Sequence, residues 1–326
     1  MARIEAAPHA PDSPAYVAAG STLTSISLDW PGFVTGSVGT GGSPIISYNL
    51  QWREAAGPDV WVDVQGQDGA HSTALAGSVS TSVTGGEAYL FRLAAANIHG
   101  WSGYSSELSV VASGVPDEPD PPSTTLDSLT VKIAWTAPGA NYGGITAYKL
   151  AVVDSGGTAI EEEANCDGST APVLAQLYCQ VPMTRLRDVY GLARGDLVQA
   201  QVRAQGRNGW GAWSSLNSAG VTVQTEPGPM TPPAEGSLTS EAQIEAEWAA
   251  LTTPAETGGA TIASYNLEWH AGGPDPLATW VSLAGDLSDY PGTSYVVTSG
   301  IVRGATYSFR LRARNVWGWG ARSAEA

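Results

Sequence analysis

One sequence pattern occurs three times in this chain of 326 residues. The copies read YLFRLAAANIHGWSGYS from Tyr89, VQAQVRAQGRNGWGAWS from Val198 and YSFRLRARNVWGWGARS from Tyr307. Aligned without gaps, they place Gly100, Gly209 and Gly318 in one column, so the period is 109 residues both times. Solenoid repeats span about 20 to 50 residues, whereas a unit of about 105 residues can bury a core of its own. The pattern therefore predicts three independent domains in tandem.

Each repeat contains segments with the periodicity of a β-strand. Alternating stretches end on a tryptophan in all three repeats, at Trp30, Trp135 and Trp248, which predicts strands that bury one face. In the last copy Phe309, Leu311 and Ala313 alternate with Arg310, Arg312 and Arg314. This alternation predicts a half-buried central strand with a basic outer face. Charged residues make up 14% of the chain and there are 39 glycines, so we expect short strands and turns and almost no helix.

Proline-rich segments separate the repeats. They read VPDEPDPPS from Val115 and EPGPMTPPA from Glu226. Proline cannot join a central sheet and holds an extended, semi-rigid path, so both segments are predicted to be linkers. The predicted division is a spare strand and linker over residues 1–10, followed by domains over 11–114, 115–226 and 227–326.

The repeats resemble the fibronectin type III domain, a seven-stranded sandwich of two sheets. The resemblance is carried by the strand-final Trp, by a Tyr-x-Leu strand after a Gly-rich loop, and by the closing motif Tyr-x-Phe-Arg-Leu-x-Ala-x-Asn-x-x-Gly-x-Gly-x-x-Ser. It covers essentially the whole chain and implies an all-β fold of three tandem Ig-like β-sandwiches in an end-to-end rod. The second copy departs from the motif at Val198, which replaces Tyr, and at Gly206, which replaces Asn. Its corner hydrogen bond is therefore expected to be missing or replaced.

Two cysteines, Cys166 and Cys179, lie in the second repeat with 12 residues between them. Neither a CxxC motif nor a histidine cluster accompanies them, so a local disulfide is favoured over a metal or redox pair. A disulfide here would staple the longer middle segment of this repeat and contribute about 3 kcal/mol. It would also imply an oxidising compartment, so we expect an extracellular or cell-surface location.

The tryptophans of the closing motif suggest a structural ladder. The segment WGAWS from Trp210 is similar to the Trp-Ser-x-Trp-Ser box of cytokine receptors, in which Trp rings stack between strand arginines. The predicted ladder consists of Trp101, Trp210, Trp213, Trp319, Arg203, Arg207, Arg310 and Arg312. Cation–π contacts of about 1 kcal/mol each would hold it together. Ligand capture by exposed tryptophans is the alternative.

The tripeptide Arg194, Gly195 and Asp196 matches the motif that many integrins read. Gly195 aligns with Gly86 and Gly304, which indicates a turn glycine before the long strand. In the family that these repeats resemble, the integrin-reading tripeptide lies in the loop after that strand. We therefore interpret this tripeptide as a turn and leave open whether a receptor reads it.

Several functional classes are disfavoured. A net charge of −16 argues against nucleic acid and an anionic membrane surface, and no apolar run of about 18 residues suggests membrane insertion. The histidines are scattered, and no HExxH, GxSxG, Walker or GxGxxG motif occurs. We expect no enzyme activity, cofactor or metal; the acidic linker at Asp117 offers too few oxygens for calcium, which needs about six or more.

The two ends of the sequence differ from the internal repeats. ELSVVAS and SAGVTVQT follow the first and second closing motifs as predicted last strands, but the third repeat reaches Ala326 without a counterpart. At the other end Ala2, Ile4 and Ala6 form the strand-donor candidate, because Ala2 matches the register of Val110 and Val221. Two explanations stay open: a window of a longer array with neighbouring domains, or donation of the first residues to the open third sandwich of a second chain. Head-to-tail donation does not close on itself and would produce a filament.

The predicted function is that of an extracellular structural or adhesive protein of tandem domains, with head-to-tail self-association as a filament protomer. One alternative is a receptor or binding ectodomain that recognises a protein or glycan through its end loops. A second is an accessory region of a larger secreted protein or enzyme.

Overall fold

The computed structural model describes residues 5–34, 36–67, 69–273, 277 and 279–326. Three hydrophobic cores follow one another along the chain. The first extends from Ile26 to Ala112, the second from Val131 to Val223 and the third from Met230 to Ala313. Each core lies between two antiparallel sheets, so the fold is three tandem β-sandwiches, as the repeats predict.

Domain 1 contains eight strands among its described residues. They are β1 (Ala15–Tyr16), β2 (Ile26–Asp29), β3 (Ser47–Glu54), β4 (Val62–Gln65), β5 (Ala76–Val79), β6 (Ala88–Asn97), β7 (Gly100–Trp101) and β8 (Leu108–Val111). One sheet has the order β1-β2-β5; in the other β4-β3-β6 is extended by β7 and β8, which both pair with β6. Leu50 lies opposite Leu93 and Trp52 opposite Phe91 in the β3–β6 register. These side chains face the first sheet and close the core.

Domain 2 repeats this plan with two short helices added. Its elements are β9 (Ser123–Asp127), β10 (Thr130–Ala134), β11 (Ala147–Val153), β12 (Ala159–Glu161), α1 (Ala171–Gln176), β13 (Tyr178–Pro182), α2 (Met183–Asp188), β14 (Ala200–Gly206) and β15 (Gly209–Trp210). The sheets have the orders β13-β10-β9 and β12-β11-β14-β15. Cys166 and Cys179 form a disulfide that joins the segment before α1 to β13. The predicted bridge therefore staples the insertion of this repeat.

Domain 3 contains β16 (Ala234–Glu235), β17 (Ile244–Glu247), α3 (Pro254–Thr257), β18 (Ser264–Ala271), β19 (Val281–Ala284), β20 (Ser294–Val297), β21 (Tyr307–Asn315) and β22 (Gly318–Trp319). Its sheets have the orders β16-β17-β20 and β19-β18-β21-β22. Phe309, Leu311 and Ala313 are buried along β21, whereas the arginines between them are partly exposed. The alternation in the sequence thus sets which face of β21 enters the core.

The tryptophans that end the second strand of each repeat are buried. Trp30, Trp135 and Trp248 are 4%, 6% and 8% exposed. Trp135 packs against Tyr148 with ring centroids 5.4 Å apart, and the other two contact the equivalent tyrosines. The same aromatic pair therefore anchors each core.

A tyrosine at the start of the long strand fixes the preceding turn in domains 1 and 3. The Tyr89 hydroxyl accepts the N–H of Thr84 at 2.8 Å and donates to Ser82 O at 3.3 Å. The Tyr307 hydroxyl accepts the N–H of Val302 at 2.7 Å. These contacts are the corner hydrogen bonds that the closing motif predicts.

Domain 2 replaces this corner with a different turn. Val198 occupies the position of the tyrosine and has no hydroxyl. The Asp196 carboxylate instead accepts the N–H of Ala193 at 2.8 Å, and the N–H of Leu192 bonds Leu186 O of helix α2 at 3.1 Å. The loss predicted from Val198 is therefore compensated locally.

Candidate functional site: the joints between domains and the open edge of domain 3

The predicted ladder is assembled in part. Arg203 lies 4.9 Å from the centroid of the Trp210 ring and 4.5 Å from that of Trp213. Arg312 lies 4.7 Å from the Trp319 ring. These tryptophans are half-buried, so their rings cover the outer face of the central strands.

Three ladder residues lie elsewhere. Arg310 stacks on Trp280 at 4.0 Å, a tryptophan outside the predicted set. Trp101 lies 6.5 Å from the ring of His71. Arg207 stacks on Tyr16 of domain 1 at 4.1 Å, because it follows the end of β14 and points across the boundary between domains. The expected place of Arg207 in the ladder is wrong.

Domain 1 has an equivalent stack that the sequence prediction missed. The Arg92 guanidinium lies 4.0 Å from the Trp61 ring and 3.9 Å from the Tyr104 ring. Arg92 aligns with Arg310 of the third repeat. This alignment is the signal that could have found the stack.

The buried carboxylate of Glu268 binds two arginines of domain 3. Glu268 accepts hydrogen bonds from Arg310 at 2.5 Å and from Arg322 at 2.8 Å. Burial alone would raise the pKa of Glu268, but the hydrogen bonds and charges of Arg322 and Arg310 outweigh it and hold this pKa below its ordinary value. Arg312 and Arg314 also pair with Asp286 and Asp289, so the basic outer face of domain 3 is largely paired within the domain.

The joint between domains 1 and 2 centres on Asn208, between β14 and β15. Its side-chain nitrogen lies 2.7 Å from the Tyr16 hydroxyl, 2.9 Å from Ser113 O and 3.2 Å from Ser21 O. Its side-chain oxygen accepts the Ser113 hydroxyl at 2.8 Å. Asn208 is 7% exposed, so one buried amide of domain 2 contacts a strand, a loop and the last residues of domain 1.

A second tyrosine, Tyr142 of domain 2, lies against Gly86 at the edge of this joint and is 67% exposed. A Cβ atom on Gly86 of domain 1 would lie 2.6 Å from the ring of Tyr142. Gly86 also has a φ of 88°, which a side chain rarely adopts. The backbone conformation of the turn therefore requires glycine at this position.

The joint between domains 2 and 3 uses equivalent positions. Asn315 donates to Thr225 O and to Thr257 O, both at 2.8 Å. Trp317, which aligns with Asn208, donates its indole N–H to Gln224 at 3.0 Å and packs against the core of domain 2. The side chain at this aligned position, Asn208 in domain 2 and Trp317 in domain 3, therefore contacts the preceding domain in both cases.

The N-terminal segment lies on domain 1 in the same way. The N–H of Ala6 bonds Gly41 O at 2.8 Å, and Asn97 donates to Ala6 O at 2.6 Å. Thr225 has the matching contacts on domain 3, with its N–H 2.9 Å from Gly258 O. Ala6 therefore occupies on domain 1 the place that Thr225 occupies on domain 3. The other two donor candidates, Ala2 and Ile4, lie outside the described residues.

A groove lies beside β21 of domain 3. Ala326 pairs with Phe309 through two backbone hydrogen bonds of 2.9 and 3.0 Å, as Leu108 pairs with Phe91 in domain 1. Beyond this pair lies a groove of about 610 Å³, lined by residues that include Ile244, Ile301, Tyr307 and Phe309. The groove lies beyond Ala326, the residue at which the sequence stops.

The Arg-Gly-Asp tripeptide forms the turn before β14. Gly195 has a φ of 89°, and its N–H bonds Val223 O at 2.9 Å. All three residues are exposed. The Asp196 carboxylate caps its own turn, which accounts for this aspartate as a structural residue.

Among the residues that the structure describes, no group of three or more His, Cys, Asp or Glu residues could hold a metal ion. None of the helices in this part of the chain has the length and apolar character needed to cross a membrane.

The sandwich topology and the repeated joints define the class of protein. Two antiparallel sheets per unit, the buried strand-final Trp and the tyrosine corner are features of fibronectin type III domains. The chain is a tandem array of three such domains.

Known proteins of similar sequence carry the same domain in their names. Fibronectin type-III domain-containing protein 3A of Homo sapiens is 28% identical over 325 residues, which cover 96% of this chain and 23% of the relative. The Mus musculus protein of that name is 27% identical over 324 residues, which cover 96% of this chain and 23% of the relative. The Gallus gallus protein 3a is 32% identical over 112 residues, or 34% of this chain and 9% of the relative. The chain thus spans about a quarter of the length of the human and mouse relatives.

Two further comparisons complete these findings. No protein-family model matches the chain. The crystal structure of chicken CNTN1 FN1-FN3 domains aligns over 98% of both chains with 16% identity and a TM-score of 0.31.

Proposed function

We propose that this chain is a stiff structural or adhesive rod that works outside the cell, and that copies of it associate end to end. Such a rod is a non-catalytic spacer that holds its domains at set positions. Its partners would be further copies or neighbouring domains of the same kind.

The Asn208 joint is the observation that carries this proposal. A flexible string of domains would leave its linkers in water, whereas here a buried amide contacts three separate parts of domain 1. Trp317 adds an apolar contact at the second joint. Because buried polar groups must keep their hydrogen bonds, bending the joint would cost about 1–3 kcal/mol for each group left unpaired.

The contacts and burial of the tryptophan rings favour a structural role over ligand capture. The rings of Trp210, Trp213 and Trp319 lie against strand arginines and are half-buried. Rings used in this way stiffen a sheet face and leave less surface for a partner.

The disulfide supports the proposed location. Cys166 and Cys179 are 5% and 3% exposed, and their bond forms part of the core of domain 2. A bridge that belongs to a domain core suits an oxidising environment, where such bonds persist.

Small-angle X-ray scattering of the full chain tests the proposed stiffness. We expect wild type to scatter as one rigid elongated particle whose profile matches the structure. Asn208→Ala should release the first joint and broaden the distribution of interdomain distances, because Ser113 and Ser21 lose a buried partner.

Asn217→Ala is the matched control. Asn217 is as buried as Asn208, but its side chain bonds Ala200 N, Val198 O and Ala219 O inside domain 2. This change should lower the stability of domain 2 and leave the scattering profile unaltered. A wild-type profile typical of freely jointed domains, or one unaffected by Asn208→Ala, would refute the rod.

A further inference from the structure

A pocket of about 460 Å³ lies on the outer face of domain 2, beside the start of β11. One wall is the loop before α1, which the Cys166–Cys179 disulfide ties to β13. Ligand pockets usually enclose about 300–1,000 Å³, so this one is large enough for a small ligand. The residues that line it include Lys149, Glu163, Asp167, Gly168, Gln205 and Trp210.

The pocket lies where domain 2 lacks a serine that both neighbouring domains have. In the strand register Ala147, which lines the pocket, takes the place of Ser47 in domain 1 and Ser264 in domain 3. The Ser47 hydroxyl donates to Gly66 O at 2.9 Å and accepts the N–H of Ser72 at 3.0 Å. Ser264 makes the same two kinds of bond. Alanine has no hydroxyl, so domain 2 lacks this tie between the strand and the facing segment.

The missing hydroxyl leaves a backbone donor in the pocket wall without a partner. Gly168 O accepts the N–H of Tyr148 at 3.0 Å, as Ser72 O accepts that of Tyr48 at 2.7 Å, so Gly168 takes the place of Ser72. Among the described residues the N–H of Gly168 has no hydrogen-bond partner. Gly168 is buried, and buried N–H groups are nearly always paired. A ligand atom that accepts a hydrogen bond would satisfy it.

Two polar side chains of the lining are also free to bind a ligand. Within the described part of the chain, neither the Gln205 amide nor the Glu163 carboxylate has a hydrogen-bond or salt-bridge partner. An amide both donates and accepts hydrogen bonds, and a carboxylate accepts them. The lining therefore suits a ligand that carries several hydroxyl groups, because each hydroxyl can donate and accept.

The aromatic wall of the pocket is Trp210. Its ring centroid lies 4.9 Å from the Arg203 guanidinium and 5.7 Å from the Lys149 ammonium, so contacts within the domain fix its position. The residue is half-buried and also lines the pocket. A flat aromatic ring can pack against the apolar C–H face of a pyranose while the hydroxyls at the edge of the sugar reach polar groups.

The charge of the lining disfavours acidic ligands. Glu163 and Asp167 are exposed carboxylates of the pocket, whereas the Lys149 ammonium is already paired with Glu161. An anionic ligand would be repelled by these carboxylates, and a neutral one would not.

From these observations we propose that the pocket binds a single neutral hexopyranose residue. The sugar ring stacks on Trp210. Its hydroxyls form hydrogen bonds with the Gln205 amide, the Glu163 carboxylate and the Gly168 N–H. This site goes beyond the proposed rod, which needs no ligand.

Saturation-transfer NMR of the full chain with the methyl glycosides of glucose, galactose and mannose tests the proposal. At least one of them should bind with a Kd of about 1–10 mM, since a single sugar makes few contacts. The matching methyl glycoside of the uronic acid should bind at least about fivefold more weakly, because its carboxylate meets those of Glu163 and Asp167.

Gln205→Ala should weaken binding at least about fivefold. It should leave the melting temperature of domain 2 nearly unchanged, because this amide has no partner within the described chain. Trp210→Ala should remove measurable binding. Trp319→Ala is the matched control, because it removes the equivalent ring in domain 3, where Ser264 ties the facing segment to the strand. This control should bind the sugar as wild type does.

Ala147→Ser tests the origin of the pocket. The new hydroxyl should accept the N–H of Gly168, as Ser47 accepts that of Ser72 in domain 1. We expect a higher melting temperature of domain 2 and a loss of sugar affinity of at least about threefold.

Four results would overturn the proposal. They are no binding of any neutral glycoside at concentrations up to about 50 mM, affinity unchanged in both Gln205→Ala and Ala147→Ser, equal loss of binding in Trp319→Ala and Trp210→Ala, and a uronic acid glycoside that binds as tightly as the neutral sugar. Stiffness measured by scattering does not depend on these outcomes, so failure of the sugar site is distinguishable from failure of the rod.

Discussion

At the residue scale, the carboxylate of Glu162 is buried and accepts several hydrogen bonds. It accepts the Tyr190 hydroxyl at 2.5 Å and Arg185 at 2.6 Å on one oxygen, and the N–H of Asn165 at 2.9 Å on the other. Its side chain is 0% exposed. Burial by itself raises the pKa of Glu162, but the hydrogen bonds from Arg185, Tyr190 and Asn165 prevail and hold the pKa below its ordinary value.

Glu162→Gln should destabilise domain 2 by about 3 kcal/mol at neutral pH, because Arg185 and Tyr190 would lose a buried anionic partner. A carboxyl whose folded pKa is depressed stabilises fully above its unfolded pKa of about 4.3, and this stabilisation is lost as the pH falls toward the folded pKa. The loss of stability of domain 2 below about pH 4.3 should therefore be shallower in Glu162→Gln. Urea unfolding between pH 3 and 7 measures both effects.

Glu161→Gln provides the control for that experiment. Glu161 pairs with Lys149 and Arg203 on the surface, and its side chain is 34% exposed. Exposed pairs contribute about 0–1 kcal/mol, so this change should have a small effect at neutral pH. Equal losses from the two substitutions would contradict a special role for the buried carboxylate.

At the scale of single elements, the tyrosine corner shows how one side chain fixes the entry to a strand. Tyr89 is 1% exposed and its hydroxyl serves two backbone groups of the turn before β6. Tyr307 does the same before β21 in a more open setting. The Tyr307 side chain is less buried than that of Tyr89.

Tyr89→Phe should cost domain 1 about 1–2 kcal/mol, because the hydrogen bonds of the buried Tyr89 hydroxyl with Thr84 N–H and Ser82 O would be lost. Tyr307→Phe should cost domain 3 less, since water can reach the groups it leaves. Thermal unfolding followed by calorimetry gives the two shifts in melting temperature.

Tyr295→Phe is the reference for these substitutions. The hydroxyl of Tyr295 has no hydrogen-bond partner among the described residues, and its ring contacts Tyr290 with centroids 5.8 Å apart. Removing that hydroxyl should change stability by less than about 0.5 kcal/mol. A Tyr89→Phe variant as stable as this reference would show that the corner bond contributes nothing.

At the scale of the whole molecule, the joints make neighbouring domains thermodynamically dependent. Trp317 belongs to domain 3 by sequence but packs against the core of domain 2. Its indole N–H also bonds Gln224 at 3.0 Å. Unfolding of either domain therefore exposes surface of the other.

Trp317→Ala should lower the melting temperature of domain 2, although the substitution lies in domain 3. Trp319→Ala removes a ring of the same size, which stacks on Arg312 and Arg314 of its own domain, and should leave domain 2 unchanged. Calorimetry separates the cases, because the domain 2 transition is the one that shifts when the Cys166–Cys179 disulfide is reduced. An equal response of domain 2 to both substitutions would contradict the coupling.

The sequence by itself determined the number of domains, the main strands and their buried faces. Period-two patterns such as that of Phe309, Leu311 and Ala313 are local, and a strand buries whichever face is apolar. The column of Gly100, Gly209 and Gly318 repeats the same turn three times, with φ values of 121°, 118° and 132°. The disulfide could also be predicted from the sequence, since it closes a short loop.

Only the tertiary structure decided what joins one domain to the next and what neutralises the buried charges. Asn208 and Tyr16 are 192 positions apart, and no local pattern links residues at that distance. Arg207 looked like a ladder residue because it precedes Trp210 by three positions, but the ring that it contacts, Tyr16, belongs to domain 1. Periodicity reports which side of a strand is buried, whereas the partner of a polar side chain depends on where separate elements meet in space.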